Sequence, residues 1–209
     1  MKKVFLAVAV LMLAASAAYP AAGNLGVEVN NLVGPVSPYG YLISLFEMVE
    51  GAPLPPIQSG QRITLAYDIT DQFLVSGGVS LLSIAGKDLL GGELGYKGET
   101  LTSTGICLGL KYRITTGALA PVIGLNAEMA SVTAPKDYLG GDLESLSGLV
   151  VQATAGVEWT LTPGFSMLLD VIVAEVGSGS IKVSGDTYDL DGQFQMLPGG
   201  SIGFRWYFI

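Results

Sequence analysis

Histidine is absent from the 209-residue chain, and cysteine occurs once, at Cys107. Without histidine there is no Ser-His-Asp arrangement, no ordinary general base near neutral pH, and not the commonest metal ligand. A single cysteine excludes an internal disulfide. Charge is scarce, at 13% of residues, against about a quarter in ordinary soluble domains. Cations are the rarer sign: 10 Lys and Arg face 18 Asp and Glu, a balance that disfavours nucleic acid as a partner. Beyond residue 22 there is no apolar run near the roughly 20 residues that a spanning helix needs. Half of the chain is nevertheless apolar, with a mean hydropathy of +0.53. That combination leaves a closed β-barrel as the membrane option, because only helices and closed barrels satisfy the backbone in lipid.

The first residues bear on compartment. Lys2 and Lys3 precede an apolar core from Val4 to Ala15, and Ala15-Ser16-Ala17 offers small residues for cleavage. This is the pattern of a secretory signal peptide, too short for a membrane anchor. Cleavage after Ala17, Ala18 or Ala22 fits the residues, so 1–22 is assigned to the leader and 23–209 to one barrel domain. The absence of a cysteine near the cut disfavours a lipoprotein. Loss of Lys2 and Lys3 takes the formal charge from −8 to −10.

What the rest of the chain has in abundance is period-two alternation, the signature of strands with two unlike faces. It is plainest in Gly200 to Ile209, where Ile202, Phe204, Trp206 and Phe208 oppose Gly203, Arg205 and Tyr207. Seven further segments alternate: about Asn24 to Val33, Arg62 to Ile69, Phe73 to Leu82, Gly105 to Ile114, Ala120 to Ala130, Val151 to Leu161, and Phe165 to Glu175. In the last of these, Leu168 and Ile172 blur the pattern. Short turns at Thr70–Gln72, Thr115–Leu119 and Thr162–Gly164 alternate with long links at Gly34–Gly60, Ser83–Thr104, Ser131–Val150 and Val176 to about Gly199. Short turns on one side and long loops on the other are the habit of outer-membrane barrels. Within the first long link, Ser37-Pro38 and Gly51 bracket apolar residues at helical spacing, which predicts a short helix at the barrel mouth.

Two sets of residues follow from the faces. Tyr67, Phe73, Tyr112, Trp159, Phe165, Trp206 and Phe208 all fall on the apolar face beside the short turns or the C-terminus, as an aromatic girdle at a membrane interface requires. The opposite face collects Glu28, Arg62, Asp68, Lys111, Arg113, Glu128, Glu158, Asp170 and Arg205. Unpaired charges in a confined interior are costly, so a near-balanced set predicts internal ion pairs. In a closed barrel the first and last strands are neighbours, which predicts a Glu28–Arg205 bridge across the closure seam. A lumen of eight strands is barely wide enough for its own side chains, so the same charges favour a filled interior over a selective constriction. Asp186, Asp189 and Asp191 before Gly192, and Asp137, Asp142 and Glu144, read as solvated acidic loops, and no metal or cofactor site is assigned.

With these residues in view, the chain resembles the small eight-stranded outer-membrane barrels of Gram-negative bacteria, the OmpA/OmpX/OmpW-like group, whose closing strands alternate and end in an aromatic. Here that aromatic, Phe208, is penultimate. The resemblance implies an all-β, antiparallel, up-and-down transmembrane barrel in the cell outer membrane, a monomer contacting outer-membrane lipids and inserted by the barrel-assembly machinery. It implies a non-enzymatic protein, since the barrel enzymes rely on a histidine. Three functions fit the residues: a structural or surface-interaction barrel, a narrow porin or carrier for small or hydrophobic solutes, and a soluble, secreted, lipocalin-like barrel with its apolar faces turned inward.

Overall fold

Alternation in the residues becomes alternation in burial. Arg62, Thr64, Ala66 and Asp68 are buried, while Ile63, Leu65 and Tyr67 between them are exposed at 43%, 58% and 45%. The computed structural model describes residues 22–34, 58–85, 100–133 and 143–208. Eight strands occupy them: β1 (Leu25–Gly34), β2 (Gln58–Asp68), β3 (Phe73–Ala85), β4 (Thr100–Arg113), β5 (Leu119–Thr133), β6 (Leu143–Thr162), β7 (Phe165–Val183) and β8 (Asp186–Tyr207). Each pairs antiparallel with its chain neighbours, and β1 pairs with β8, so the sheet closes in sequence order. The expected leader peptide and the expected helix between Ser37 and Gly51 lie outside the described residues, apart from Ala22.

The first short turn is held by its own side chain. Thr70 Oγ1 accepts the backbone N–H groups of Gln72 and Phe73 at 3.2 and 2.9 Å, a Thr-specific way of reversing the chain. Between strands the approach is close. A Cβ on Gly78 would lie 2.6 Å from Thr64 Cα across the β2–β3 pair, so that position requires glycine.

Two of the expected long links are largely strand. The segment from Val176 to Gly199 is a continuation of β7 and β8 into a tall hairpin, turned by Ser184 and Gly185 with φ of 50° and 91°. Positive φ at both central residues is the geometry whose twist matches paired strands. The segment 143–150 likewise belongs to β6, which pairs with β7 up to Leu143–Val183. The alternation is silent there because strands above an apolar belt have no reason to alternate. The wall is therefore uneven: β6, β7 and β8 rise together, whereas β1 follows β8 only as far as Val33–Gly200.

The faces also decide between barrel types. Leu65, Ile106, Leu108, Leu119 and Met129 are 58% to 66% exposed on the outside, and soluble monomers rarely leave so continuous an apolar surface. The inside holds the charges. This overturns the soluble lipocalin-like alternative, which needed the opposite orientation.

Candidate functional site

The most elaborate chemistry lies in the lumen. All nine charged residues assigned to the inner face are buried there, each exposed by 7% or less. Seven of them form one connected set. At its lower end, near the short turns, Arg113 donates from Nη1 to Asp68 and from Nε to Glu158, both at 2.8 Å. Arg113 also donates to Asp71 O at 3.1 Å and to the Tyr207 hydroxyl at 2.7 Å. Glu158 passes the connection to Arg205 Nη1 at 2.9 Å. Arg205 then grips Glu28 through Nε at 2.9 Å and through Nη2. Glu28 accepts from Lys111 Nζ at 3.3 Å, and Lys111 donates to Asp170 at 2.9 Å. Arg62 and Glu128 form a separate pair, with Ser80 donating to the second oxygen of Glu128.

The strands make this geometry inevitable. Glu28 stands directly opposite Arg205 in the β1–β8 register, so the seam that closes the barrel is also where its ends exchange charge. Arg205 is fully buried, and its fork engages two carboxylates and the Tyr207 hydroxyl, which in turn donates to Glu158 at 3.1 Å. Charges withdrawn from water persist only when paired and hydrogen-bonded. The set leaves little room. A cavity lined by Glu28, Lys111 and Asp170 measures ≈ 10 Å³, about what one water requires. Below it, beside Arg113, Thr116 and Thr160, lies a larger cavity of ≈ 120 Å³.

Strict alternation misses one charged lumen residue. Glu175 is buried at 1%, with Gln152 Nε2 donating to it at 2.7 Å. By strict alternation in β7 it would face outward with Val171 and Val173, and a carboxylate on the apolar face is the signal that a bulge intervenes. The described lumen thus holds six acids and four bases. Leu168 and Ile172, which blur the seventh strand, are inward-facing and buried. Tyr207 shares the inward face of the last strand, where its hydroxyl completes the lower network.

The outer aromatics gather at one end. Tyr67, Phe73, Trp159 and Phe208 are exposed, and Tyr112, Phe165 and Trp206 are half-buried. Phe73 meets Tyr112 at 4.8 Å, and Phe165 meets Trp206 at 5.3 Å and Phe204 at 5.7 Å between ring centres. On the external side, Asp186 and Asp189 are exposed on β8, and no cluster of potential metal ligands occurs among the described residues. Asp137 and Asp142 lie outside the described residues.

An antiparallel eight-stranded barrel, apolar outside and ion-paired inside, has the fold of the small outer-membrane barrels. It is similar to the N-terminal β-barrel domain of Pseudomonas aeruginosa OprF, with a TM-score of 0.53 and 10% identity over 90% of this chain and 99% of that one. Looser likenesses are to Neisserial surface protein A (TM-score 0.46, 16% identity, 88% and 95% covered) and to OprG from Pseudomonas aeruginosa (0.45, 16%, 91% and 98%). At such identities the OprF likeness shows a shared fold. No family model matches the chain, and no curated protein matches it.

Proposed function

We propose that the protein is a closed outer-membrane barrel, exported by a cleaved signal peptide, with a structural or surface-interaction role. Its partners are outer-membrane lipids, the assembly machinery during insertion, and whatever the external strands meet. The observation that carries this reading is the ion-paired lumen: a seven-residue charge set crosses it, and the cavity lined by Glu28, Lys111 and Asp170 measures ≈ 10 Å³, too little for a solute. The apolar outer face and its aromatic end support the membrane location. The raised β6–β8 sheet, with Asp186, Tyr188 and Asp189 exposed, is the part best placed to meet the surroundings.

Reconstitution into planar bilayers tests the reading. The expected result is an absence of reproducible conductance steps while the protein still shows the gel-mobility shift of a folded barrel on boiling. Regular unitary steps from that same folded material would overturn it in favour of a narrow porin or carrier.

A further inference from the structure

One sector of the outer face breaks the apolar pattern. On β3, β4, β5 and β7 the residue six positions above the turn-end residues Phe73, Tyr112, Leu119 and Phe165 is Val79, Ile106, Leu125 and Val171 respectively, each 48% to 66% exposed. On β1 and β2 the same step up from Leu25 and Tyr67 reaches Asn31 and Gln61, both exposed on the outside. They stand opposite one another in the β1–β2 register, as Leu25 stands opposite Tyr67. Their surroundings are apolar. Ile202 lies opposite Asn31 on β8 and Leu81 opposite Gln61 on β3, at 45% and 48% exposure, and the Val29–Ile63 pair lies two residues below.

Depth makes the two amides costly. A strand that rises about 3.3 Å per residue and tilts about 45° climbs roughly 14 Å in six residues. In an apolar band about 25 Å tall, that is near the middle. A primary amide carries two N–H donors and a carbonyl acceptor. A hydrogen bond between the two side chains would still leave donors and an acceptor facing hydrocarbon, where no water serves them. Neither side chain has the length with which Lys and Arg reach the headgroups.

We propose that the β1–β2 outer face is the contact between two copies of this chain, joined through Asn31 and Gln61 about a two-fold axis along the membrane normal; the inference rests on the membrane reading above. Copies inserted by one route share orientation and depth, so the amides of both stand at one level. The two-fold rotation sets β1 of one copy against β2 of the other. Asn31 then meets Gln61 twice, and each amide both donates and accepts. A closed contact of this kind uses the same patch on both copies. A lipid tail offers neither donor nor acceptor, and an unrelated protein would need amides of its own at this depth. Polar side chains join membrane helices in the same way. The contact occupies the outer wall alone and leaves the lumen network as it is.

The test places a donor or an acceptor fluorophore on Thr187→Cys, exposed beside the hairpin turn, since Cys107 is buried in the lumen. The two labelled forms are mixed in phosphatidylcholine vesicles at falling protein-to-lipid ratios, and flotation and the mobility shift on boiling are read on the same samples. The expected result is energy transfer that declines reversibly on dilution, with a dissociation constant raised about tenfold by Asn31→Leu with Gln61→Leu. Folded protein that floats with the vesicles but shows no transfer above random proximity at any ratio overturns the proposal and leaves the membrane reading standing. Transfer that the double variant retains undiminished overturns it as well. Protein that does not float overturns both readings. Should the double variant not fold, Asn31→Leu alone takes its place, with a rise of about threefold expected and an unchanged constant overturning the contact.

Discussion

Replacing Arg205 by leucine should be far more damaging than replacing Glu28 by glutamine, although the two side chains face each other across one seam. The connected set contains four acids, Glu28, Asp68, Glu158 and Asp170, and three bases, Lys111, Arg113 and Arg205. Arg205→Leu leaves four acids against two bases, all deeply buried. Glu28→Gln leaves three against three, and the two cations it releases keep partners: Arg205 retains Glu158 at 2.9 Å, and Lys111 retains Asp170 at 2.9 Å. In Arg205→Leu, Glu28 keeps Lys111 and Glu158 keeps Arg113, but two net negative charges stay buried, and an uncompensated buried charge costs about 3–5 kcal/mol, which is the loss expected for that variant. Removing a charged hydrogen-bond acceptor while keeping an amide in its place should cost about 1–2 kcal/mol. Equilibrium urea unfolding in detergent micelles, followed by gel mobility and tryptophan emission, measures both. The double variant should lose less than the sum of the singles. Equal costs for the two singles, or a loss below about 1 kcal/mol for Arg205→Leu, would refute the idea that a net acid excess governs the lumen.

The raised hairpin should be separable from the barrel beneath it. Gly177 pairs with Gln193, so replacing Ser178–Gly192 by Asn-Gly should leave the mobility shift on boiling intact; a loss of that shift would mean that the barrel needs its extension to fold. Trp159 and Trp206 lie beside the turn end of the outer face, at 49% exposure and half-buried respectively. In vesicles, lipids brominated near the headgroup should quench their emission more strongly than lipids brominated near the chain ends, and the reverse order would remove the girdle from the interface.

Most of the barrel is legible in the residues because lipid-facing and lumen-facing positions obey one arithmetic. Arg62, Asp68 and Lys111 are charged where Ile63, Tyr67 and Leu110 are apolar, so parity assigns the faces without any knowledge of the sheet. Three things escape that arithmetic. A bulge resets the count, which is why Glu175 faces inward after Val171 and Val173 face out. Strands beyond the apolar belt carry no alternation, so Gly177-Ser178-Gly179-Ser180 reads as a loop although it is paired with β6. The pairing of particular charges depends on which side chains meet across the lumen, as Arg113 on β4 meets Asp68 on β2 and Glu158 on β6. The seam is the exception, because adjacency of first and last strands follows from closure alone.

That seam has a consequence for how the molecule comes into being. Glu28 and Arg205 are separated by 177 positions in the chain, so their mutual pairing waits until the final strand has arrived beside the first. A partly assembled sheet in an apolar medium would leave this ion pair unmade at its two margins, in addition to two rows of unmatched backbone groups. Half-built intermediates are therefore penalised twice, by hydrogen bonding and by charge, and the two penalties vanish together in a single event. Insertion on the membrane reading proposed above becomes an all-or-none transaction, with the far end of the polypeptide acting as its own proof of completion.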